Sequence, residues 1–181
     1  TSLIVTGTKV ELTKEYDGTV DANVESVGTV TGVAAGDDVK VEVMARYIDK
    51  AAGTGKTILV VYSLSGADKA KYAIPATIEI TNCEITRRQI VIDEPILTTS
   101  KVYDGTASAL VFAGWVQNQV VGDDLRVNAE ATYDNANEGT GKTITVVYTT
   151  EGNDALNYIK PADYVITDGE ITSGKTSLTV T

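Results

Sequence analysis

The sequence contains no histidine, a single cysteine and no long hydrophobic segment. Histidine is the commonest general base, the usual partner of a serine or cysteine nucleophile and the commonest transition-metal ligand. Its absence therefore argues against zinc sites and catalytic triads. We expect a protein that is not an enzyme, with no catalytic residue, no metal site and no cofactor.

The lone cysteine and the short hydrophobic runs narrow the class of protein further. Cys83 has no partner for an internal disulfide, and we expect it to be a small core residue or a surface thiol. No apolar run approaches the roughly 20 residues of a membrane helix, and no basic segment precedes an apolar one as in a signal peptide. We therefore predict no membrane insertion. Because the chain begins at Thr1 and not at methionine, we expect a mature segment or a piece of a longer protein.

Positive charge is also scarce. Fifteen Lys and Arg residues oppose 25 Asp and Glu residues, which gives a net charge of −10. Nucleic acids and anionic membranes both attract basic surfaces, so neither is expected as a partner. An acidic surface favours solubility, and we interpret the chain as an extracellular or cell-surface protein.

The segment GTGKT at 53–57 suggests a nucleotide-binding site, because GKT ends a phosphate-binding P-loop. A P-loop also needs a glycine five positions before its last glycine, and Lys50 stands there. The β-branched run ILVVY that follows predicts a strand, not the helix whose N-terminus would bind phosphate. The same five letters recur at 139–143, again before a β-branched run. We therefore interpret GTGKT as a feature of the fold, whose lysine faces outward at the start of a strand.

This recurrence extends over nearly the whole chain. KEYDGT at 14–19 matches KVYDGT at 101–106 with an offset of 87 residues. From the GDD triplet at 36–38 onward, the offset is 86. The sequence therefore predicts two tandem modules, residues 1–88 and residues 89–181.

Within each module the hydrophobic pattern has a period of two. In VKVEVMARY, at 39–47, apolar and polar side chains alternate, and LRVNAEATY at 125–133 repeats the pattern, as expected for strands with one buried face. Further strands, with equivalents in the second module, are expected at 8–15, 20–30, 56–64, 76–81 and 84–92.

The residues between the strands indicate turns. The Asp-Gly pairs at 17–18 and 104–105 are typical of hairpin turns. The GADKAKY and GNDALNY segments predict a short helical turn that begins near Asp68 or Asp154.

Together these elements predict an all-β fold of two tandem small modules, each a β-sandwich or a β-grasp-like sheet. No cluster of Gly, Ser or Pro lies between Ile85 and Ile92, so we expect the last strand of the first module to run almost directly into the second. An elongated, stiff arrangement is the expected result. The tail at 172–181 echoes the opening TSLIVT, so we expect it to complete the second module or to begin a third.

The motifs K-x-YDG-T, GTGK before a strand and G-x-D-A-x-NY together resemble the YDG-type repeat modules, related to MBG modules, of large bacterial surface proteins such as filamentous-haemagglutinin-like adhesins. The resemblance covers nearly the whole chain, twice. In the first module Lys69 and Lys71 replace the alanine and the asparagine of DAxNY, so a role of Asn157 need not be shared. The family implies a surface-exposed, repeated, non-catalytic module in adhesion or cell-surface architecture, and it supplies no catalytic residues.

The paired carboxylates Asp37-Asp38 and Asp123-Asp124 are candidates for acid–base catalysis, as in a glycosidase. Neighbouring residues in an extended chain point to opposite faces, so these pairs are not expected to converge. G-D-D before a strand is common in turns, and we favour that interpretation.

The segment DNANEG at 134–139 has the oxygen-rich composition of a calcium loop. An EF-hand loop needs Asp or Asn at its third position, and Ala136 stands there. The counterpart in the first module places Lys50 at its centre. Calcium binding is thus conceivable in the second module alone, and a polar hairpin loop is the favoured interpretation.

Aromatic residues are the main candidates for ligand contact. Tyrosines recur in equivalent pairs, which is typical of packed core residues and less often of a sugar-stacking platform. Trp115 has no counterpart, because Thr29 aligns with it. Since amides follow it, we predict a ligand-binding group of Trp115, Gln117 and Asn118. The alternative for Trp115 is packing within its module or against a neighbouring one.

The predicted function is a non-catalytic tandem-repeat segment of a bacterial adhesin, acting as a rigid stalk or spacer and as a cell-adhesion surface. Its expected partners are host or environmental glycans, matrix proteins and neighbouring modules of the same chain. The alternative is a carbohydrate-binding module with an exposed aromatic platform around Trp115, and burial of Trp115 would argue against it. A hydrolase would have to rely on carboxylates alone.

Overall fold

The structure, a computed structural model, describes residues 1–175 and divides the chain into two compact units. Unit 1 comprises residues 1–88, and unit 2 starts at residue 89. The expected all-β fold is confirmed: within the described residues the helical elements are two single-turn 3₁₀ helices, Lys69–Lys71 and Ala155–Asn157. Both occur where a short helical turn was predicted. The last six letters of the tail, which echo the start of the chain, lie outside the described residues.

Unit 1 is built around one five-stranded sheet. Its strands are β1 (Ile4–Thr6), β2 (Lys9–Val10), β3 (Thr13–Glu15), β4 (Asp21–Ala22), β5 (Val24–Ser26), β6 (Thr29–Thr31), β7 (Lys40–Tyr47), β8 (Gly53–Ser65) and β9 (Ile78–Thr86). The five-stranded sheet has the order β3-β9-β8-β7-β4, in which β3 and β9 are parallel and the other pairs antiparallel. Two-stranded ladders β1–β6 and β2–β5 complete the unit.

Unit 2 repeats this topology. The strand β10 (Arg88–Gln89) starts at the boundary and is followed by β11 (Ile96–Leu97), β12 (Ser100–Val102), β13 (Ser108–Ala109), β14 (Val111–Phe112), β15 (Arg126–Tyr133), β16 (Gly139–Glu151), β17 (Tyr158–Ile159) and β18 (Tyr164–Thr172). The five-stranded sheet has the order β12-β18-β16-β15-β13, again with one parallel pair, β12 and β18. The ladder β11–β14 is the counterpart of β2–β5.

Each five-stranded sheet is nearly closed and barrel-like. Its two edge strands, β3 and β4 in unit 1, follow each other in the chain with only residues 16–20 between them. The Asp-Gly pair at 17–18 was predicted to form a hairpin turn, and this prediction is wrong. The segment instead crosses from one edge of the sheet to the other, because β3 pairs with β9 and β4 pairs with β7.

The buried face of the sheet follows the predicted alternation. In β7 the side chains of Ala45 and Tyr47 are buried while Met44 and Arg46 are exposed. The same alternation holds in β15. Side chains from the central strands form the core of unit 2, where each fully buried Ile or Val contributes about 1.5–3 kcal/mol. The buried members of this core are Ala113, Ala131, Tyr133, Ile144, Val146, Tyr148 and Ile171.

The predicted strand boundaries were less accurate. The segments 76–81 and 84–92 were expected as two strands, but 78–86 is one continuous strand, β9. The expected long strands at 8–15 and 20–30 are divided into short strands that pair with different partners. Such divisions depend on tertiary pairing, which a local alternation of apolar and polar residues does not specify.

A β-bulge accounts for the change in repeat offset from 87 to 86. In unit 1, Lys9 pairs with Ser26 and Val10 pairs with Val24, so Glu25 is an extra residue between two pairs. In unit 2, β11 and β14 pair without a shift. One additional residue in β5 is therefore absorbed locally, as is typical of bulges.

Candidate functional site

The most strongly recurring motif, KxYDGT, forms a closed turn at the edge of the barrel. The Lys14 Nζ donates to Asp17 Oδ1 (2.8 Å), to the Thr19 carbonyl (2.9 Å) and to Thr19 Oγ1 (3.1 Å), which occupies all three ammonium protons. Asp17 Oδ1 also accepts the backbone N–H of Thr19 at 2.8 Å. The same ammonium lies 5.6 Å from the centre of the Tyr47 ring, a cation–π contact.

The copy in unit 2 has nearly the same geometry. Lys101 Nζ donates to Asp104 Oδ1 (2.9 Å), to the Thr106 carbonyl (2.8 Å) and to Thr106 Oγ1 (3.0 Å), and lies 5.6 Å from the Tyr133 ring centre. The hydrogen bonds from Lys101 and from the backbone and hydroxyl of Thr106 lower the pKa of Asp104 to about 2. The ammonium group of Lys101 and the carboxylate of Asp104 thus bind within the turn. This turn connects the two edge strands of the sheet.

A pocket opens beside each of these turns. In unit 1 it has a volume of about 400 Å³ and is lined by both edge strands, including Thr13, Lys14 and Asp21, with Tyr47 beside them. The counterpart in unit 2 measures about 360 Å³ and is lined by Lys101, among others. The pockets mark the gap that remains between the edges of the nearly closed sheet.

The two aspartates of the first GDD triplet serve different contacts. Asp37 Oδ2 accepts the hydroxyl of Tyr72 at 2.7 Å, and this hydroxyl oxygen accepts the backbone N–H of Ala34 at 2.9 Å. Asp38 instead forms a reciprocal pair with Asp68: its N–H donates to Asp68 Oδ2 (2.8 Å), and its carbonyl accepts the Asp68 N–H (2.9 Å). The Asp38 carboxylate accepts the N–H of Ala67 (3.1 Å). Both aspartates thus make turn contacts with residues 67–72, as the turn interpretation of G-D-D predicted.

The second triplet repeats this arrangement. Tyr158 donates its hydroxyl to Asp123 Oδ2 at 2.6 Å, and Asp124 N–H donates to Asp154 Oδ2 at 2.8 Å. Both tyrosine hydroxyls therefore have partners, in keeping with the prediction of core tyrosines with satisfied hydroxyl groups.

Lys71, a departure of the first copy from DAxNY, adds an ion-pair network. Its Nζ lies 2.9 Å from Asp37 Oδ1 and 2.7 Å from Asp68 Oδ1. Hydrogen bonds from Tyr72 and from Lys71 lower the pKa of Asp37. The counterpart of Lys71 is Asn157, which is buried. The two copies therefore carry different side chains at this position, an exposed lysine in one and a buried asparagine in the other.

The GTGKT segments are β-bulges at the start of the longest strands. The pairing of β8 with β9 shifts register on both sides of Lys56, and Gly55 has a φ of +64°. The lysines were predicted to face outward, and this prediction is wrong. Lys142 is only 6% exposed, and its Nζ turns back to the preceding loop, 2.7 Å from Asn135 Oδ1 and 3.1 Å from Asp134 Oδ1.

The contacts of Lys142 also show what the oxygen-rich loop at 134–139 binds. The carboxylate of Asp134 and the amide oxygen of Asn135 face the ammonium group of Lys142. Lys56 likewise approaches Asp49 Oδ1 at 2.5 Å in the first copy. Both loops are the polar hairpin loops that the sequence favoured. Among residues 1–175, no group of three or more Cys, Asp or Glu side chains is placed to hold a metal ion.

Two further sequence features have defined positions. Cys83 is buried in the core of unit 1, as one of its two predicted placements required, and burial raises the pKa of its thiol. Tyr16 and Tyr103, in contrast, are not equivalent: Tyr16 is fully buried and Tyr103 is 47% exposed.

Within the described part of the chain, no helix is both long and apolar enough to cross a bilayer.

Trp115 lies on the surface of unit 2. It is 69% exposed, and its ring meets that of Phe112 edge-on, with centroids 5.3 Å apart and an interplanar angle of 63°. Gly114, between the two aromatic residues in the chain, has a φ of +98°, which turns the backbone after β14. A Cβ there would lie 2.5 Å from the Asp93 carbonyl oxygen. Phe112 was not predicted as part of a site. It lies three residues before Trp115, and residues at this spacing on a regular strand would point to opposite faces.

The two predicted amides beside Trp115 have different surroundings. Gln117 Nε2 donates to Asp93 Oδ2 at 2.9 Å on the exposed surface. Asn118 is bound to the backbone on both sides: its Oδ1 accepts Val91 N–H (2.9 Å) and its Nδ2 donates to the Gln89 carbonyl (2.8 Å). The structure therefore places Gln117 beside Trp115, whereas the amide of Asn118 binds the backbone of residues 89–91.

Strand pairing defines which side chains share the outer face. Ile96 is opposite Phe112 in the β11–β14 ladder, and the Asp93 N–H donates to the Trp115 carbonyl at 3.0 Å. Ile96 is also exposed. We call the surface formed by Ile96, Phe112 and Trp115 the Trp115 platform, with Asp93 and Gln117 at its side.

The equivalent surface of unit 1 is polar. Through the two offsets and the bulge, the three platform positions correspond to Lys9, Ser26 and Thr29. Because unit 1 adopts the same fold with these residues, the aromatic platform is not a requirement of the fold.

Comparison with known proteins gives one result. The model of a family described as the YDG domain matches residues 2–79 and again residues 86–165. The two matches cover most of the chain and correspond to the two units. No curated protein and no solved structure matches it.

Proposed function

The chain belongs to the YDG domain family, and from this premise we propose that it is a non-catalytic tandem-repeat segment of a bacterial cell-surface adhesin. In this proposal the two units form a rigid, elongated spacer outside the cell, related to the MBG-type repeats of filamentous-haemagglutinin-like proteins. They hold an adhesive surface away from the cell or contribute to it. Host or environmental glycans, matrix proteins and neighbouring modules of the same chain are the proposed partners.

The observation that carries the proposal is the use of the recurring polar side chains. Lys14 and Lys101 close the KxYDGT turns, and Asp37 and Asp123 bind tyrosine hydroxyls. Both copies use these groups for internal contacts in the same way. A module selected for its shape needs only such contacts, whereas an enzyme needs charged groups that converge on a substrate.

Residues beside the boundary between the units are held within their own unit. Strand β9 ends at Thr86 and β10 begins at Arg88, whose guanidinium donates to the Tyr16 carbonyl (3.3 Å) within unit 1. Gln89 Nε2 donates to the carbonyls of Ile159 (3.4 Å) and Lys160 (3.3 Å) within unit 2. In the sequence, no linker of the flexible Gly/Ser type stands between these residues, and this supports the proposed stiff spacer.

Small-angle X-ray scattering tests the spacer. We expect the two-unit protein to give the distance distribution of one extended particle of defined length. A variant with a flexible Gly-Ser segment inserted between Arg88 and Gln89 is the control, and its distribution should broaden. If the native protein and the insertion variant scatter alike, the connection is already flexible and the rigid-spacer proposal fails.

Antibodies raised against the two-unit protein test the location. They should label intact cells of the source bacterium as strongly as permeabilised cells. Labelling that requires permeabilisation would contradict a surface adhesin.

Carbohydrate binding is a second candidate function, favoured by the exposure of the Trp115 platform. Exposed aromatic rings beside planar polar side chains suit the apolar face and the hydroxyl groups of a sugar. A glycan and matrix-protein panel, probed with the native protein and with Trp115→Thr, tests it. Thr occupies the equivalent position of unit 1, so this variant should fold. Glycan binding that Trp115→Thr abolishes supports the candidate; absence of glycan binding rules it out and leaves the spacer.

A further inference from the structure

The Trp115 platform has a specific combination of apolar, planar polar and negatively charged groups. We propose that it binds a pyranose sugar that carries a free, protonated amino group. This inference rests on the carbohydrate-binding candidate function and adds to it the class of sugar. The arguments are the shape of the platform, its area and its charge.

The shape suits one sugar ring. The Phe112 and Trp115 rings stand at 63° to each other with centroids 5.3 Å apart, so they form a notch and not a flat strip. A pyranose that stacks on the indole would place its edge against the phenyl ring. Flat polymer surfaces need coplanar rings, and the notch does not offer them.

The area of the platform fits a small ligand better than a protein. Trp115 and Ile96 are each 69% exposed and Phe112 is 42% exposed, which together amounts to an apolar surface on the order of 400 Å². A stable protein interface buries about 800 Å² on each partner. In unit 1 the three equivalent positions carry polar residues, so that unit has no matching apolar surface.

The charge beside the platform favours a cation. Asp93 lies opposite Trp115 and its carboxylate accepts a hydrogen bond from Gln117, and the exposed Glu94 is the next residue along the chain. Within residues 1–175, neither carboxylate forms an ion pair with Lys or Arg. The net charge of −10 adds a field of the same sign. An ammonium group gains from the carboxylates and from the indole face, the best cation–π acceptor.

Unit 1 provides an internal comparison for the charge as well. Thr6 and Gly7 correspond to Asp93 and Glu94, and Lys9 corresponds to Ile96. The equivalent surface therefore lacks the rings, lacks both carboxylates and carries a positive charge. The aromatic and the acidic residues occur together in unit 2.

Titration of the two-unit protein with three oligosaccharides tests the proposal. The probes are a β-1,4-linked glucosamine tetramer, its fully N-acetylated form and the glucose tetramer, at a pH that keeps the amine protonated. Trp115 is the only tryptophan of the chain, so its fluorescence reports the platform directly. We expect the glucosamine tetramer to bind about tenfold more tightly than the other two, from one cation–π contact and one partly exposed charge pair.

Variants locate the site and the origin of the preference. Trp115→Thr and Phe112→Ser, read by calorimetry, should abolish binding, while Thr29→Ala at the equivalent position of unit 1 should leave it unchanged. The double variant Asp93→Asn/Glu94→Gln should keep neutral-sugar binding and lose the preference for the amine. Thermal melting confirms that each variant folds.

Each outcome is decisive. Equal binding of all three tetramers overturns the amine preference while carbohydrate binding stands. Binding of none overturns both. Binding that survives Trp115→Thr overturns the assignment to the platform, and a preference that survives the Asp93/Glu94 double variant overturns the role of these carboxylates.

Discussion

The Lys101 ammonium group donates a hydrogen bond of 2.9 Å to the Asp104 carboxylate across a turn that joins the two edges of one sheet. The same relationship exists between Lys14 and Asp17. Because each edge strand is short and pairs along one side only, the barrel depends on this turn to keep its edges together. The stability of the turn should therefore be measurable through the stability of its unit.

The first prediction concerns acid stability. Hydrogen bonds from Lys101 and Thr106 hold the pKa of Asp104 at about 2, below its ordinary value of 3.8. A carboxylate with a lowered pKa stabilises the fold above its unfolded-state value, and this contribution is lost as pH falls from about 4 to about 2. Urea unfolding of unit 2, followed by Trp115 fluorescence, should show that native protein loses more stability across this window than Asp104→Asn. Identical pH profiles would contradict the prediction.

A second prediction concerns the tyrosine hydroxyls at the GDD turns. Tyr72→Phe leaves Asp37 and the Ala34 N–H without this partner, so this variant should lower the free energy of unfolding of unit 1. Tyr158→Phe should do the same in unit 2. Labelling of the buried Cys83 thiol measures the opening of unit 1, and Trp115 fluorescence measures that of unit 2. A variant that destabilises the wrong unit, or neither, would refute the assigned role.

A third prediction separates two costs of replacing a glycine: the strain of a positive φ and the lack of room for a Cβ atom. Gly114 and Gly122 have similar φ angles, +98° and +92°, but a Cβ on Gly114 would approach the Asp93 carbonyl oxygen to 2.5 Å and one on Gly122 would meet no atom within 4 Å. Both alanine variants carry the strain of positive φ. Gly114→Ala should lose about 1–3 kcal/mol more in thermal or urea unfolding, because the backbone has to move. Equal losses would mean that the close approach is relieved without cost.

A fourth prediction addresses the GTGKT segments. Lys142→Met removes the ammonium that binds Asp134 and Asn135, and should destabilise unit 2 by about 1–3 kcal/mol. Calorimetry with Mg-ATP should detect no binding to either the native protein or the variant, since the segment is a bulge before a strand. Nucleotide binding that Lys142→Met abolishes would restore the P-loop interpretation.

Much of the fold could be predicted from the sequence because the information is local or repeated. The alternation in 39–47 specifies a strand and its buried face, and the recurrence of GTGKT indicates two copies of one module. The role of the Asp-Gly pair at 17–18 could not be predicted in this way. Its chemistry permits a hairpin, and only the pairing of β3 and β4 with distant strands decides that it joins opposite edges.

The candidate sites show the same division. The structure places Trp115 on the surface, where both of its alternatives at the sequence level were open, and its ligand-binding role stays a prediction. Phe112 was missed because the backbone turns at Gly114, between Phe112 and Trp115. The outward position predicted for the lysines of GTGKT was wrong, because the alternation rule fails at a bulge, where Lys142 is redirected to its own loop.

The extra residue at Glu25 has a practical consequence for protein engineering. Unit 1 carries this exposed residue and unit 2 folds without it. The β2–β5 ladder and its counterpart β11–β14 therefore form with either length of strand. The strands on either side keep their partners in both copies. A peptide tag, a spin label or a longer graft inserted next to Glu25 should project from the module while the five-stranded sheet remains intact, which makes this position the natural attachment point for probes.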